Sequence, residues 1–124
     1  MKITINKKEY TLHFGLDFIE TLDNTEIVKQ SGMQVGIGTQ MNVGLLSDYR
    51  NPKYLVKIID AALITEDEAP STADIRTWVE EQKDISGVID AFLLRLKEVS
   101  LLSGMVNWEL VQVRDEKALK KFLK

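Results

Sequence analysis

The residue types that could do chemistry in this chain fall in three places. Between Ser31 and Gly44 lie four of the seven glycines, Gly32, Gly36, Gly38 and Gly44. A glycine-rich loop can cradle phosphate with its backbone N–H groups, but the spacing here follows neither familiar pattern. Gly36-x-Gly38 is followed by Met41 where a dinucleotide fingerprint needs glycine, and no Gly-Lys-Ser/Thr follows Gly32 at the P-loop interval. Glu66-Asp67-Glu68 could draw a divalent cation, and together with Asp60 it would be the start of a metal-dependent hydrolase site. It lacks the alternating acids and central glycine of a calcium loop, and at least two further ligands would have to converge on it. His13 is the only histidine and there is no cysteine, so neither a thiolate nor a second imidazole is available to complete a zinc site. No serine near it has a nucleophile-elbow context. These residues make no catalytic set, and no cofactor or metal is assigned. Read alone they leave two classes open, an interaction domain and a small metal-dependent hydrolase built on Asp60, Glu66 and Glu68.

The elements that would carry such contacts are legible. Ile3 and Ile5, then Tyr10, Leu12 and Phe14, alternate with polar residues around Asn6-Lys7-Lys8-Glu9, which is a β-hairpin with one apolar face. The period then lengthens: Phe14, Phe18, Ile19 and Leu22 form a helical stripe. Asn51-Pro52 is a cap followed by a first-turn proline, ahead of a stripe of Leu55, Ile58, Ile59, Ala62 and Leu63. Ser71 or Thr72 opens the next helix, with Ile75, Trp78 and Val79 inward. The helix after it carries Ile85, Ile89, Phe92, Leu93, Leu96 and Val99, and Ser103-Gly104 breaks it. Residues 31–44 read as a mobile loop that orders on a partner, before a short helix carrying Met41, Leu45, Leu46 and Tyr49. Val106 to Leu110 alternates like a strand, and Asp115 caps a lysine-rich last turn bearing Leu119, Phe122 and Leu123. The fold class is therefore α+β: an N-terminal β-hairpin followed by a mainly helical single domain, residues 2–103, with residues 104–124 as a C-terminal extension.

Some apolar residues exceed what one small core requires. Val88, Leu94 and Leu101 widen the apolar face of the long helix beyond one stripe, so that helix is either central or shared with a neighbouring subunit. Trp108, flanked by polar residues, and Leu119, Phe122 and Leu123 at the end complete the candidate protein interface. Self-association into a closed ring or a helical string is expected from it.

Charge and composition narrow the partners. The 124 residues are enough for one domain that buries roughly two thirds of its unfolded surface. Residues 60–90 hold nine acids against two bases, whereas the last 34 residues hold seven bases against four acids. That acidic middle would repel phosphates, which argues against nucleic acid and suits protein contacts. No apolar run is long enough for a signal peptide or a membrane span, so the chain is expected to stay in the cytoplasm where it is made.

Read in order, these motifs carry a resemblance. The hairpin closes on Tyr10-x-Leu12-x-Phe14-Gly15-Leu16 and leads to Phe18-Ile19-x-x-Leu22-Asp23. Gly36-Ile37-Gly38 follows, then Leu45-Leu46, Asn51-Pro52 and an Ile58-Ile59-Asp60-Ala61-Ala62-Leu63 helix. Ser71-Thr72-Ala73-Asp74-Ile75 and Leu96-Lys97-Glu98-Val99-Ser100 close the series. Over residues 2–103 the chain resembles the tail assembly chaperones of long-tailed bacteriophages of Gram-positive hosts. The resemblance implies a non-enzymatic protein of the host cytoplasm, absent from the mature virion. Its implied partner is the tape measure protein, which it would keep soluble before tail tube polymerisation. It also implies a longer, frameshifted product that reaches the tail tube protein, and Lys120-Lys121 is a pair that slippery codons can encode. A small phage or bacterial adaptor or regulatory interaction domain is the other reading of the same outline.

Overall fold

A computed structural model describes residues 1–122, and Leu123 and Lys124 lie outside the described residues. The chain begins with the expected hairpin, β1 (Lys2–Ile5) and β2 (Lys8–Thr11), antiparallel with Ile3 opposite Tyr10. Asn6 and Lys7 make its two-residue turn, both at positive φ, the conformation whose twist matches the flanking strands. Ile3, Ile5, Tyr10 and Leu12 are buried, so the period-two pattern does face the core. The hairpin is tied down through His13 N–H donating to the Ala62 carbonyl at 2.9 Å and Thr11 N–H donating to Glu66 Oε1 at 3.0 Å.

Helix α1 (Leu16–Asp23) follows, burying Phe18 and Leu22, with the Phe14 and Phe18 rings edge to face at 5.2 Å. Residues 31–44 are not the mobile loop that their glycines suggested, because strand and helix take up most of them. Residues 27–36 form a second antiparallel hairpin, β3 (Ile27–Gln30) and β4 (Met33–Gly36), closed by Ser31 and Gly32 at φ 53° and 78°. Only Gly32 sits in the turn. Gly36 ends β4, while Gly38 and Gly44 lie in α2 (Gly38–Tyr49).

The remaining helices start where local chemistry says they should. The Asn51 side chain accepts from Lys53 N–H at 3.1 Å and caps α3 (Pro52–Ala62). Ser71 Oγ accepts from Asp74 N–H at 3.1 Å at the start of α4 (Thr72–Glu80), and Asp84 Oδ1 accepts from Gly87 N–H at 2.9 Å at the start of α5 (Ile85–Lys97). Helix α3 packs against α1, α2, α4 and α5, and the fully buried core is centred on Phe18, Leu22, Leu46, Ile58, Ile59 and Phe92. No helix among the described residues is long and apolar enough to cross a membrane.

Beyond α5 the chain runs through a 3-10 turn at Ser100–Leu102, a second at Trp108–Leu110, and a short α6 (Ala118–Phe122). The alternation of Val106 to Leu110 therefore marks a turn, because among the described residues no strand pairs with it. This segment lies across the body. Gln112 N–H donates to Ser47 Oγ at 2.9 Å, and α6 packs on α5. The unusual breadth of α5 is thereby consumed inside the domain: Gly87 through Leu93 and Leu96 are all buried.

Candidate interaction surface

The second hairpin is the most exposed element of the fold. Both β3 residues with large apolar side chains, Ile27 and Val28, are open to solvent, and Met33 on β4 is 67% exposed. The register sets Val28 opposite Val35 and Gln30 opposite Met33, whereas Lys29 faces Gln34. Alternation along each strand thus places Val28, Met33 and Val35 on one face and Lys29 and Gln34 on the other. An isolated two-stranded hairpin is marginally stable in water. On this face Val28 and Met33 are exposed, while Val35, nearer the root, is half-buried.

The root of this arm is built differently from its tip. Thr39 N–H donates to Asp23 Oδ1 at 3.0 Å, and Thr39 Oγ1 donates to the Ile19 carbonyl at 3.2 Å. Asn42 Nδ2 donates to Gly38 O at 2.7 Å and to Thr25 Oγ1 at 3.2 Å, and Thr25 Oγ1 donates to Leu22 O at 2.7 Å. Thr39 and Asn42 are buried, so this is a satisfied polar network in the interior. The glycines are there for space: a Cβ on Gly38 would fall 1.8 Å from the Leu22 carbonyl oxygen, and one on Gly36 would fall 3.0 Å from Asp23. The joint between arm and body is therefore tight.

A groove of about 330 Å³ opens beside α2. Gly44, Ser47, Asp48 and Gln40 supply one wall, and Met105, Val106, Leu110 and Val111 supply the other. Leu110 is 68% exposed at its lip. The second wall is held in place by Trp108, whose Nε1 donates to Leu102 O at 3.1 Å, and by Asp90. The Asp90 side chain is 2% exposed and bonds Arg50 Nη2 at 2.9 Å. It also accepts from Arg114 N–H at 3.3 Å and Asp115 N–H at 3.1 Å. Arg50, left-handed at φ 53° just after α2, reaches Ser86 O and Ser86 Oγ with the same Nη2, and its buried Nη1 has no hydrogen-bond partner among the described residues. One charged pair thus fastens α2, α5 and the C-terminal segment. Further on, Asp115 accepts from Lys117 N–H at 3.0 Å and bonds Lys121 Nζ at 2.7 Å. That hydrogen bond with Lys121 holds the Asp115 carboxyl below its usual range and the Lys121 ammonium above its own.

The sequence-based interface residues are scattered by the fold. Val88 is 2% exposed and faces the core, which withdraws it from any outer surface, because α6 and the first strand cover that side of α5. Leu94, Trp108, Leu119 and Phe122 are half-buried, Leu101 is exposed, and Leu123 lies outside the described residues. Phe122 packs close to Gly87, where a Cβ would come 2.9 Å from its ring. Sequence reasoning missed the arm. The Ser31-Gly32 dipeptide between two short runs of β-favouring residues was the signal for it.

The carboxylates that might have held a metal are occupied separately. Asp60 accepts from Thr72 Oγ1 at 3.0 Å, Glu66 lies 3.6 Å from His13 Nε2, and Glu68 pairs with Lys8 at 3.5 Å. Among the described residues no three His, Cys, Asp or Glu side chains stand together as a metal site.

A protein-family model described as phage tail assembly chaperone protein, TAC, matches residues 2–108, from the first strand through Trp108. No curated protein and no solved structure matches the chain. The chain belongs to the phage tail assembly chaperone family.

Proposed function

We propose that this member of the family is a non-enzymatic chaperone that binds the tape measure protein. It keeps that long, aggregation-prone partner soluble in the host cytoplasm until tail tube subunits polymerise around it, and it does not remain in the virion. The observation that carries the reading is the pairing of family membership with large apolar side chains left exposed around a packed core. Val28, Met33, Leu16, Ile64 and Leu110 are all exposed, which suits masking another protein's apolar stretches. A chaperone that must cover a long helical partner needs many copies, so self-association into a ring or string belongs to the same reading. Any longer frameshifted form would add a domain that reaches the tail tube protein.

Co-expression tests this. The tape measure protein should move from the pellet to the soluble fraction when this chain is present, and the two should co-purify. A tape measure protein that stays insoluble at equal chaperone expression would refute the role.

A further inference from the structure

We infer that α2 and α5 present a track for an extended segment of a partner polypeptide, and that residues 111–115 of this chain occupy it until the partner displaces them. This rests on the chaperone role of the proposed function and names how the client is held.

The track reads backbone. Gln112 N–H donates to Ser47 Oγ on α2 at 2.9 Å. The N–H groups of Arg114 and Asp115 donate to the two carboxylate oxygens of Asp90 on α5, at 3.3 and 3.1 Å. Burial alternates along this strap: Val111 and Val113 are half-buried against the core, whereas Gln112 and Arg114 are exposed. What the body recognises is a run of main-chain N–H groups with aliphatic side chains at alternate positions. Main-chain bonds of this kind hold extended peptides whatever their exact sequence, and the alternate side chains select among them.

Receptor and occupant are separable. Ser47 and Asp90 are buried, Arg50 Nη2 holds Asp90 at 2.9 Å, and all three lie within residues 2–108, the part matched by the family model. The strap lies beyond that match. The matched domain thus carries buried acceptors whose main-chain donors come from outside it, and buried acceptors need partners. Residues 111–115 belong to no helix or strand, so the strap opens at lower cost than the core. Beside it the groove of about 330 Å³, lined by Ser47, Val106, Leu110 and Val111, gives an incoming segment a place to start.

The chemistry of the track suits a client that aggregates. Segments prone to aggregation are extended, rich in β-branched residues and free of proline. Val111-Gln112-Val113 imitates such a segment and keeps the track closed when no client is present.

Fluorescence polarisation with a labelled peptide of residues 109–118 tests this on the full chain. Gln112→Pro with Arg114→Pro deletes two donors of the strap and leaves the track intact. Val111 is already extended, the conformation favoured before proline. This variant, its fold checked by circular dichroism, should bind the peptide. Adding Arg50→Leu with Asp90→Leu, which removes the acceptor without stranding a charge, should abolish binding. The wild type should bind about tenfold or more weakly, because its tethered strap competes at high effective concentration. The tape measure protein should displace the peptide. Amide exchange on the wild type needs no variant: Gln112, Arg114 and Asp115 should exchange well before the amides of α3, and exchange only on global unfolding overturns the inference. A folded proline variant that ignores the peptide overturns the track. A tape measure protein that leaves the peptide in place overturns the track as a client site, and if it still co-purifies with the wild type the chaperone role stands. A wild-type oligomer that the proline variant loses assigns the track to the strap of a second copy, and also overturns the inference.

Discussion

Replacing Asp90 with alanine should loosen the whole C-terminal half of the groove. Asp90 is the acceptor shared by Arg50 and by the backbone N–H groups of Arg114 and Asp115. Its removal leaves the Arg50 guanidinium, 11% exposed, inside the domain with only its Ser86 contacts. Breaking one side of a buried ion pair costs about 3–5 kcal/mol. The Ser86 bonds persist, so the lower end applies, about 3 kcal/mol out of a total stability of about 5–15 kcal/mol. At this chain length that is a fall of about 10–15 °C in Tm. Asp90→Asn keeps the shape and one acceptor, and should lose less. The double variant Arg50→Leu with Asp90→Leu should cost less than the two single changes summed, because neither charge is then stranded. Urea unfolding gives the energies, and amide exchange at Arg114 and Asp115 reports the latch. The reasoning fails if Asp90→Ala costs under about 1 kcal/mol, the value of a neutral hydrogen bond. It also fails if those two amides stay as protected as in the wild type.

Three further outcomes follow from local geometry. Lys7 stands at φ 67° in the first turn, where a side chain costs about 1 kcal/mol, so Lys7→Gly should raise Tm by a few degrees, and a drop in a thermal scan would contradict it. Gly38→Ala drives a methyl into the Leu22 carbonyl and should destabilise by about 2 kcal/mol or more in urea unfolding, while Gly44→Ala, with open space at its Cβ, should be neutral or stabilising. The Asp115–Lys121 bond ties down α6 only while the carboxyl is ionised and the amine charged. Its contribution should be full near neutrality, fade as acid passes below the lowered Asp115 range, and fade again as base passes above the raised Lys121 range, read as faster exchange of the α6 amides at either extreme.

How much of this was written in the chain depends on the range of the interaction. The caps at Asn51, Ser71 and Asp84 bond residues two or three positions away, and the stripes repeat every three or four, so four helices and the first hairpin could be read directly. The family's motif order is likewise a property of one dimension. Periodicity says which side of an element is apolar and says nothing of what will cover it. That is why the width of α5 suggested an outer surface, whereas the fold spends Val88 in the core beneath α6 and the first strand. The glycines between Ser31 and Gly44 suggested freedom, yet two of them are needed for close approach to α1, a contact no local pattern announces. The groove depends on Ser47 meeting Gln112 and on Asp90 meeting Arg114, pairs separated by 65 and 24 positions. Side-chain spacing fixed the elements, and only tertiary packing decided which apolar surfaces were left without a partner.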